Sequence, residues 1–147
     1  MRLQQWAANG WLRPHQTTPS QIADLFAIVE RDIEDSDRDV SVDWQFGISY
    51  NATLKLCTIL LYASGYRPEK NLAHYRTLQA LPLILGPEFS DDADYLDSCR
   101  AKRNTAEYDT AGTISQSEAT ELRAFTRELR THVLNWLRKE HPSLISP

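Results

Sequence analysis

Apolar residues recur along this chain at helical rather than strand spacing. Ile22, Leu25, Phe26, Val29 and Ile33 fall on one narrow stripe, the pattern of an amphipathic helix with a single buried face. Thr18-Pro19-Ser20-Gln21 opens it: Thr18 can cap, Pro19 suits the first helical position, and Gln21 completes a capping box. Asp32, Glu34, Asp35, Asp37 and Asp39 make the far end acidic. Negative charge there opposes the helix dipole and predicts fraying before Val40.

Ser41 caps a second helix expected to run to Ser64, with Gly65 as its left-handed stop. Val42, Phe46, Thr53, Leu56, Cys57 and Leu60 share one face, and Ile48, Tyr50, Leu54, Ile59 and Leu61 widen it until only a strip near Asn51 and Lys55 stays polar. A helix apolar around most of its circumference belongs at the centre of a bundle. Gly65-Tyr66-Arg67-Pro68 reads as a turn. A third helix from Asn71 through Leu72, Tyr75, Leu78 and Leu81 meets Pro82, which should kink or shorten it, and ends at Gly86-Pro87.

Ser90 with Asp91 and Asp92 starts a fourth helix, and Ser115-Gln116-Ser117-Glu118 is a second capping box opening a fifth. Ala119, Leu122, Phe125, Thr126, Leu129, Val133, Trp136 and Leu137 make one long stripe on that last helix. No run alternates as a strand does, and there is no internal repeat. Short connections favour antiparallel neighbours, so the expectation is an all-α, single-domain antiparallel bundle of about five helices. The bundle occupies residues 18–140, after an arm or short helix at 1–17 that carries Trp6, Trp11 and Leu12, and before a tail at 141–147.

The 147 residues, 41% hydrophobic and 24% charged with only 5 glycines, have the composition of one globular domain. A net charge of −4 gives no general attraction for nucleic acid, so any RNA contact has to be local. Cys57 and Cys99 lie inside apolar helical patterns, as reduced core thiols do, which points to the cytoplasm. No export signal or membrane-spanning run is visible. His15, His74, His132 and His141 stand in separate segments without metal-ligand spacing, so no metal is expected. His132 edges the stripe of the last helix, and His74 begins the third helix where it could reach a cleft.

The informative chemistry is on the fourth helix. Leu96, Cys99 and Ala106 define its apolar stripe, and Arg103 projects between Leu96 and Cys99, where a helix normally puts an aliphatic residue. Arg100, Asn104 and Glu107 flank it. A partly buried guanidinium needs an acceptor. Arg103 could pair with Glu107 or another helix's carboxylate and lock the bundle. Alternatively Arg100 and Arg103 could hold a phosphate while Asn104 and Tyr108 contact the nucleotide, a task that suits arginine's fixed fork of donors.

The stretch Arg103-Asn104-Thr105-Ala106-Glu107-Tyr108-Asp109, together with Tyr50-Asn51-Ala52 and His74-Tyr75 upstream, resembles bacterial HEPN (higher eukaryotes and prokaryotes nucleotide-binding) domains over Val42 to Trp136. The resemblance implies a homodimer in which two late-helix motifs meet, no cofactor, and RNA or a nucleotide as ligand. Catalytic members pair an arginine with a histidine a short interval later; Tyr108 stands at that place after Arg103, and no histidine follows Arg100 within the interval. Two functions follow. One is a noncatalytic module that binds a nucleotide or docks a nucleotidyltransferase in a toxin–antitoxin pair, using Arg100, Arg103, Asn104 and Glu107 for recognition, with Tyr108 as an adenylylation acceptor. The other is a metal-independent ribonuclease toxin acting as a dimer through Arg103 and Tyr108. The missing histidine favours the first.

Overall fold

In the order of the chain, the computed structural model, which describes residues 2–106 and 111–145, begins with a short helix α1 (Leu3–Ala8) and a strand β1 (Leu12–Pro14). Two long helices follow, α2 (Pro19–Ser36) and α3 (Val42–Ala63), then a strand β2 (Tyr66–Pro68). Helices α4 (Ala73–Gln79), α5 (Leu81–Leu85) and α6 (Ser90–Asn104) lead to the longest element, α7 (Gln116–Glu140). The architecture is an all-α bundle with one small ribbon.

α3 runs through the middle. Phe46, Tyr50, Leu54, Leu56, Ile59, Leu60 and Leu61 are buried although they point to all sides of the helix, which is possible only because neighbours cover it all round. Ile22 and Val29 come from α2, Leu96 and Cys99 from α6, and Leu122, Leu129, Val133 and Leu137 from α7. Successive α2 and α3 are antiparallel, as the Arg38–Gln45 and Asp32–Asn51 bonds require. α7 lies parallel to α3, with Gln45 beside Gln116 and Thr53 beside Thr126. No helix among the described residues is long and apolar enough to cross a membrane.

The caps explain most boundaries. Thr18 Oγ1 accepts from Gln21 N–H at 3.1 Å, Ser41 Oγ accepts from Trp44 N–H, and Ser115 and Glu118 form a full capping box. Gln21 does not return the favour to Thr18 as expected; its Oε1 takes the Thr17 hydroxyl and meets His15 Nε2, both at 2.8 Å. Gly65 stops α3 with φ +94°, a conformation glycine reaches without steric penalty.

Three expectations are corrected. Residues 66–68 are not only a turn: Leu12 pairs with Pro68, Arg13 with Arg67 and Pro14 with Tyr66 in an antiparallel ribbon. Strands of three residues are too short to show alternation, and this pair is held by tertiary packing: Trp6 and Leu12 bury against Leu61 and Ala80. The third helix starts at Ala73, because Leu72 takes a left-handed φ of +56°. It divides before Leu81, which leaves Pro82 in the first turn of α5, where its missing N–H matters least.

The acidic end of α2 is also more than a frayed terminus. Asp37 receives Arg123 and Arg127 of α7, and Glu30 receives Arg130 one step further along. These pairs run in opposite sequence directions and fasten α2 antiparallel to α7.

Candidate functional site

Ser41 starts α3, and from there Trp44, Gly47, Ile48 and Asn51 follow at spacings of three and four, so they share one face. Lys55 continues that strip one turn on. With it come the other lining residues, Arg31 and Asp32 from α2, Arg103 from the last turn of α6 and Ala106 just beyond that helix. Between these elements is a cavity of about 500 Å³, within the range of small-molecule sites.

Its lining mixes charges, with Arg31 and Asp32 side by side on α2, Asp43 on α3 and Arg103 on α6. Asp32 is 4% exposed and has both oxygens engaged: Arg31 Nη2 reaches Oδ1 at 3.1 Å, and Asn51 Nδ2 donates to Oδ2 at 2.6 Å. Asp43 accepts from the Gly112 N–H through Oδ2 at 2.9 Å, tying the segment after α6 to the first turn of α3. Its other oxygen, Oδ1, is buried with no hydrogen-bond partner among the described residues. Arg103 stands on the α6 side, its guanidinium carbon 5.5 Å from the Tyr50 ring centroid, a cation–π distance.

Trp44 lines the cavity and is 63% exposed, an unusual degree for an indole in a folded chain. Gly47 also lines the cavity. Its backbone has no positive φ, and a Cβ there would meet nothing within 4 Å among the described residues. Neither backbone conformation nor close packing calls for glycine here, and in a helix interior it is about 1 kcal/mol less favourable than alanine.

Beyond Arg103 the positive charge continues. Burial and the charges of Arg103, Lys55 and Arg100 together hold the His74 imidazole below its ordinary range, so it is mostly neutral near neutral pH. Tyr50, buried beneath Arg103, has its hydroxyl pushed up to about 12 by burial, against the pull of Arg103 and Arg100. It stays protonated.

The residues singled out in the sequence are distributed as follows. Arg103 lines the cavity. Arg100 lies one turn back and gives its Nε to Asp97 at 2.8 Å, while its charge still reaches His74 and Tyr50. Asn104 is half-buried in the last turn of α6 and is not part of the cavity wall. Glu107 and Tyr108 lie outside the described residues. His132 packs edge-on to Phe89 at 5.2 Å, and His15 and His141 lie against Tyr62 and Trp136. Cys57 and Cys99 are free and buried, and burial pushes their thiols up to about 12 and about 11.

Trp44, Gly47, Asp43 and the Asp32–Asn51 pair were not anticipated. The signal available was the polar strip at Asn51 and Lys55: extended backwards by helical spacing it passes through Ile48, Gly47 and Trp44. No protein-family model, curated protein or solved structure matches this chain.

Proposed function

We propose that this chain is a noncatalytic HEPN-type module that binds a nucleotide in the cavity beside Arg103, works in the cytoplasm as a homodimer, and docks a nucleotidyltransferase partner in a toxin–antitoxin pair. The observation that carries the reading is the position of Arg103, on the wall of a cavity of nucleotide size that an exposed indole also lines. A guanidinium supplies forked donors to phosphate, and an exposed indole offers a stacking face to a base. The helical bundle and the buried free thiols agree with it. The dimer rests on the resemblance and on the prevalence of two-fold assemblies. In this reading Tyr108 is the residue on which the partner would place an adenylyl group.

The test is calorimetric titration of the purified dimer with nucleoside monophosphates, run beside incubation with total RNA and tRNA. Binding that weakens at least about tenfold in Arg103→Ala, with RNA left intact, is expected from a phosphate contact made by a charged donor. Absence of nucleotide binding by a folded protein overturns the reading.

One observation favours the ribonuclease alternative. A neutral imidazole within the field of Arg103 is what a general base needs, and His74 supplies it from α4 rather than from the motif itself. RNA cleavage by the wild type that is lost in both His74→Ala and Arg103→Ala would establish that function instead.

A further inference from the structure

We infer that the segment from Lys70 to Tyr75, at the start of α4, is a docking surface for an acidic peptide segment of a partner protein, with Leu72 and Tyr75 receiving its apolar anchor and the surrounding cations its carboxylates. None of these residues lines the cavity. The inference rests on the docking part of the proposed function, gives it a place and a partner chemistry, and does not depend on nucleotide binding.

Leu72 is held at φ +56°, in the left-handed region that is costly for a residue with a bulky side chain and that glycine or asparagine fills more readily. It also occupies the N-cap of α4, where it offers the helix no side-chain hydrogen bond. Packing does not explain it, since the residue is 61% exposed. A leucine kept in a strained conformation while most of it stays in water marks a position whose benefit lies outside the folded chain.

Tyr75, three residues on, is exposed as well, so two of the large exposed hydrophobic residues share one short segment. Its surroundings are basic, although the chain carries a net charge of −4. Arg67 and Lys70 come just before Leu72 and are exposed. His74, between Leu72 and Tyr75, stands in the field of Lys55 from α3 and of Arg100 and Arg103 from α6. The carboxylates of Glu69 and Asp97 are tied to Arg13 and Arg100, and Lys55 and Lys70 pair with no carboxylate among the described residues.

Exposed cations around exposed apolar side chains are complemented by a peptide that carries carboxylates on either side of a leucine-like or aromatic anchor. Single-stranded nucleic acid could stack on Tyr75 but gives an aliphatic Leu72 no partner. A membrane binds in proportion to the apolar area inserted, and one leucine with one tyrosine inserts little.

The experiment is selection on the full chain from a displayed library of random peptides. The selected peptides are then titrated by fluorescence anisotropy against wild type, Leu72→Asn, Tyr75→Ala and Lys70→Glu, beside single-stranded RNA and phosphatidylserine vesicles. Selected peptides should be enriched in Asp and Glu around a leucine or an aromatic residue. Their affinity should fall at least about tenfold in Leu72→Asn, as for an interface anchor, and by less in Tyr75→Ala and Lys70→Glu, and wild-type binding should weaken with salt. Leu72→Asn should also melt higher by about 2–4 °C, because asparagine tolerates the left-handed conformation. A leucine that served only the fold would shift melting the other way.

No selected peptide, peptides without acidic residues, peptides that ignore Leu72→Asn, or a Leu72→Asn protein that melts lower each overturn the inference. RNA or vesicles that bind and are released by Leu72→Asn, where no acidic peptide binds, overturn it in favour of that other class. Nucleotide affinity of Leu72→Asn should equal that of the wild type, so the docking surface and the nucleotide site stand or fall separately.

Discussion

Asn51 donates its side-chain amide to Oδ2 of Asp32 at 2.6 Å, and this bond joins the middle of α3 to the last turns of α2. Asp32 is 4% exposed, and Arg31 and Asn51 are the side chains that donate to its carboxylate. Leaving a buried carboxylate short of a donor costs roughly 1–3 kcal/mol. Asn51→Ala should lower unfolding stability by about 2 kcal/mol on that basis, read from urea denaturation. Replacing both partners by leucine should be milder than Asn51→Ala, because no carboxylate is left behind. A double variant less stable than the single one would show that the pair stabilises the fold by more than mutual satisfaction.

Asp37 fastens α2 to α7 through Arg123 and Arg127, and hydrogen bonds from Arg127 and then Arg123 hold its carboxyl below the usual carboxylate range. A carboxyl whose folded pKa is depressed binds its proton later than in the unfolded chain. Its contribution is thus fully present above the ordinary aspartate range and disappears as pH falls through the lowered folded value. The group is exposed, so the effect is small and screened by salt. Thermal melting of wild type and Asp37→Asn should differ at pH 7 and low ionic strength, converge towards pH 2, and differ less in 1 M salt. A difference that persists at low pH would assign the effect to something other than the ion pairs.

Thr126 sits 1% exposed in the middle of α7. Its hydroxyl meets Thr53 Oγ1 at 2.9 Å and donates within reach of Leu122 O at 2.8 Å. Thr126 belongs to the apolar stripe of this helix and behaves as part of it except for its polar contacts to Thr53 and to Ser49 O on the parallel helix α3. Thr126→Val removes these contacts and strands the Thr53 hydroxyl in the core, at a cost of about 1–2 kcal/mol. Valine at both positions should cost less than the sum of the singles, a coupling measurable by a double-mutant cycle. Strict additivity would mean that the two hydroxyls are satisfied independently.

What was legible in the sequence follows what is local. Ser41, Ser115 and Gly65 mark their boundaries because capping depends on residues within one turn, and α3 announces its central place by an apolar circumference. The ribbon between Leu12–Pro14 and Tyr66–Pro68 was not legible, since three-residue strands carry no periodicity and their pairing spans the chain. The dipole argument concerns the acidic end of α2 alone, whereas its arginine partners lie on α7. Arg103 drew attention as a guanidinium on an apolar stripe, but the carboxylates, indole and glycine that share its cavity come from α2 and α3. Only the packing of three helices brings them together.

His74 provides the most direct probe of the charge around that cavity. Its imidazole is held below the ordinary histidine range first by burial and then by Arg103, Lys55 and Arg100. The folded value being the lower one, the neutral ring is favoured by folding: its contribution is complete above the unfolded pKa of about 6.5 and is lost as pH falls through the folded value. Titration of the ring protons by NMR should give a midpoint below 6.5. Arg103→Ala and Lys55→Ala should each raise it, Arg103→Ala the more, since its charge acts more strongly on the ring. A dianionic phosphate bound at Arg103 should raise it as well, because it adds negative charge near the ring. A nucleotide that binds without moving the His74 midpoint would have its phosphate away from Arg103, and the phosphate contact proposed for that guanidinium would fall.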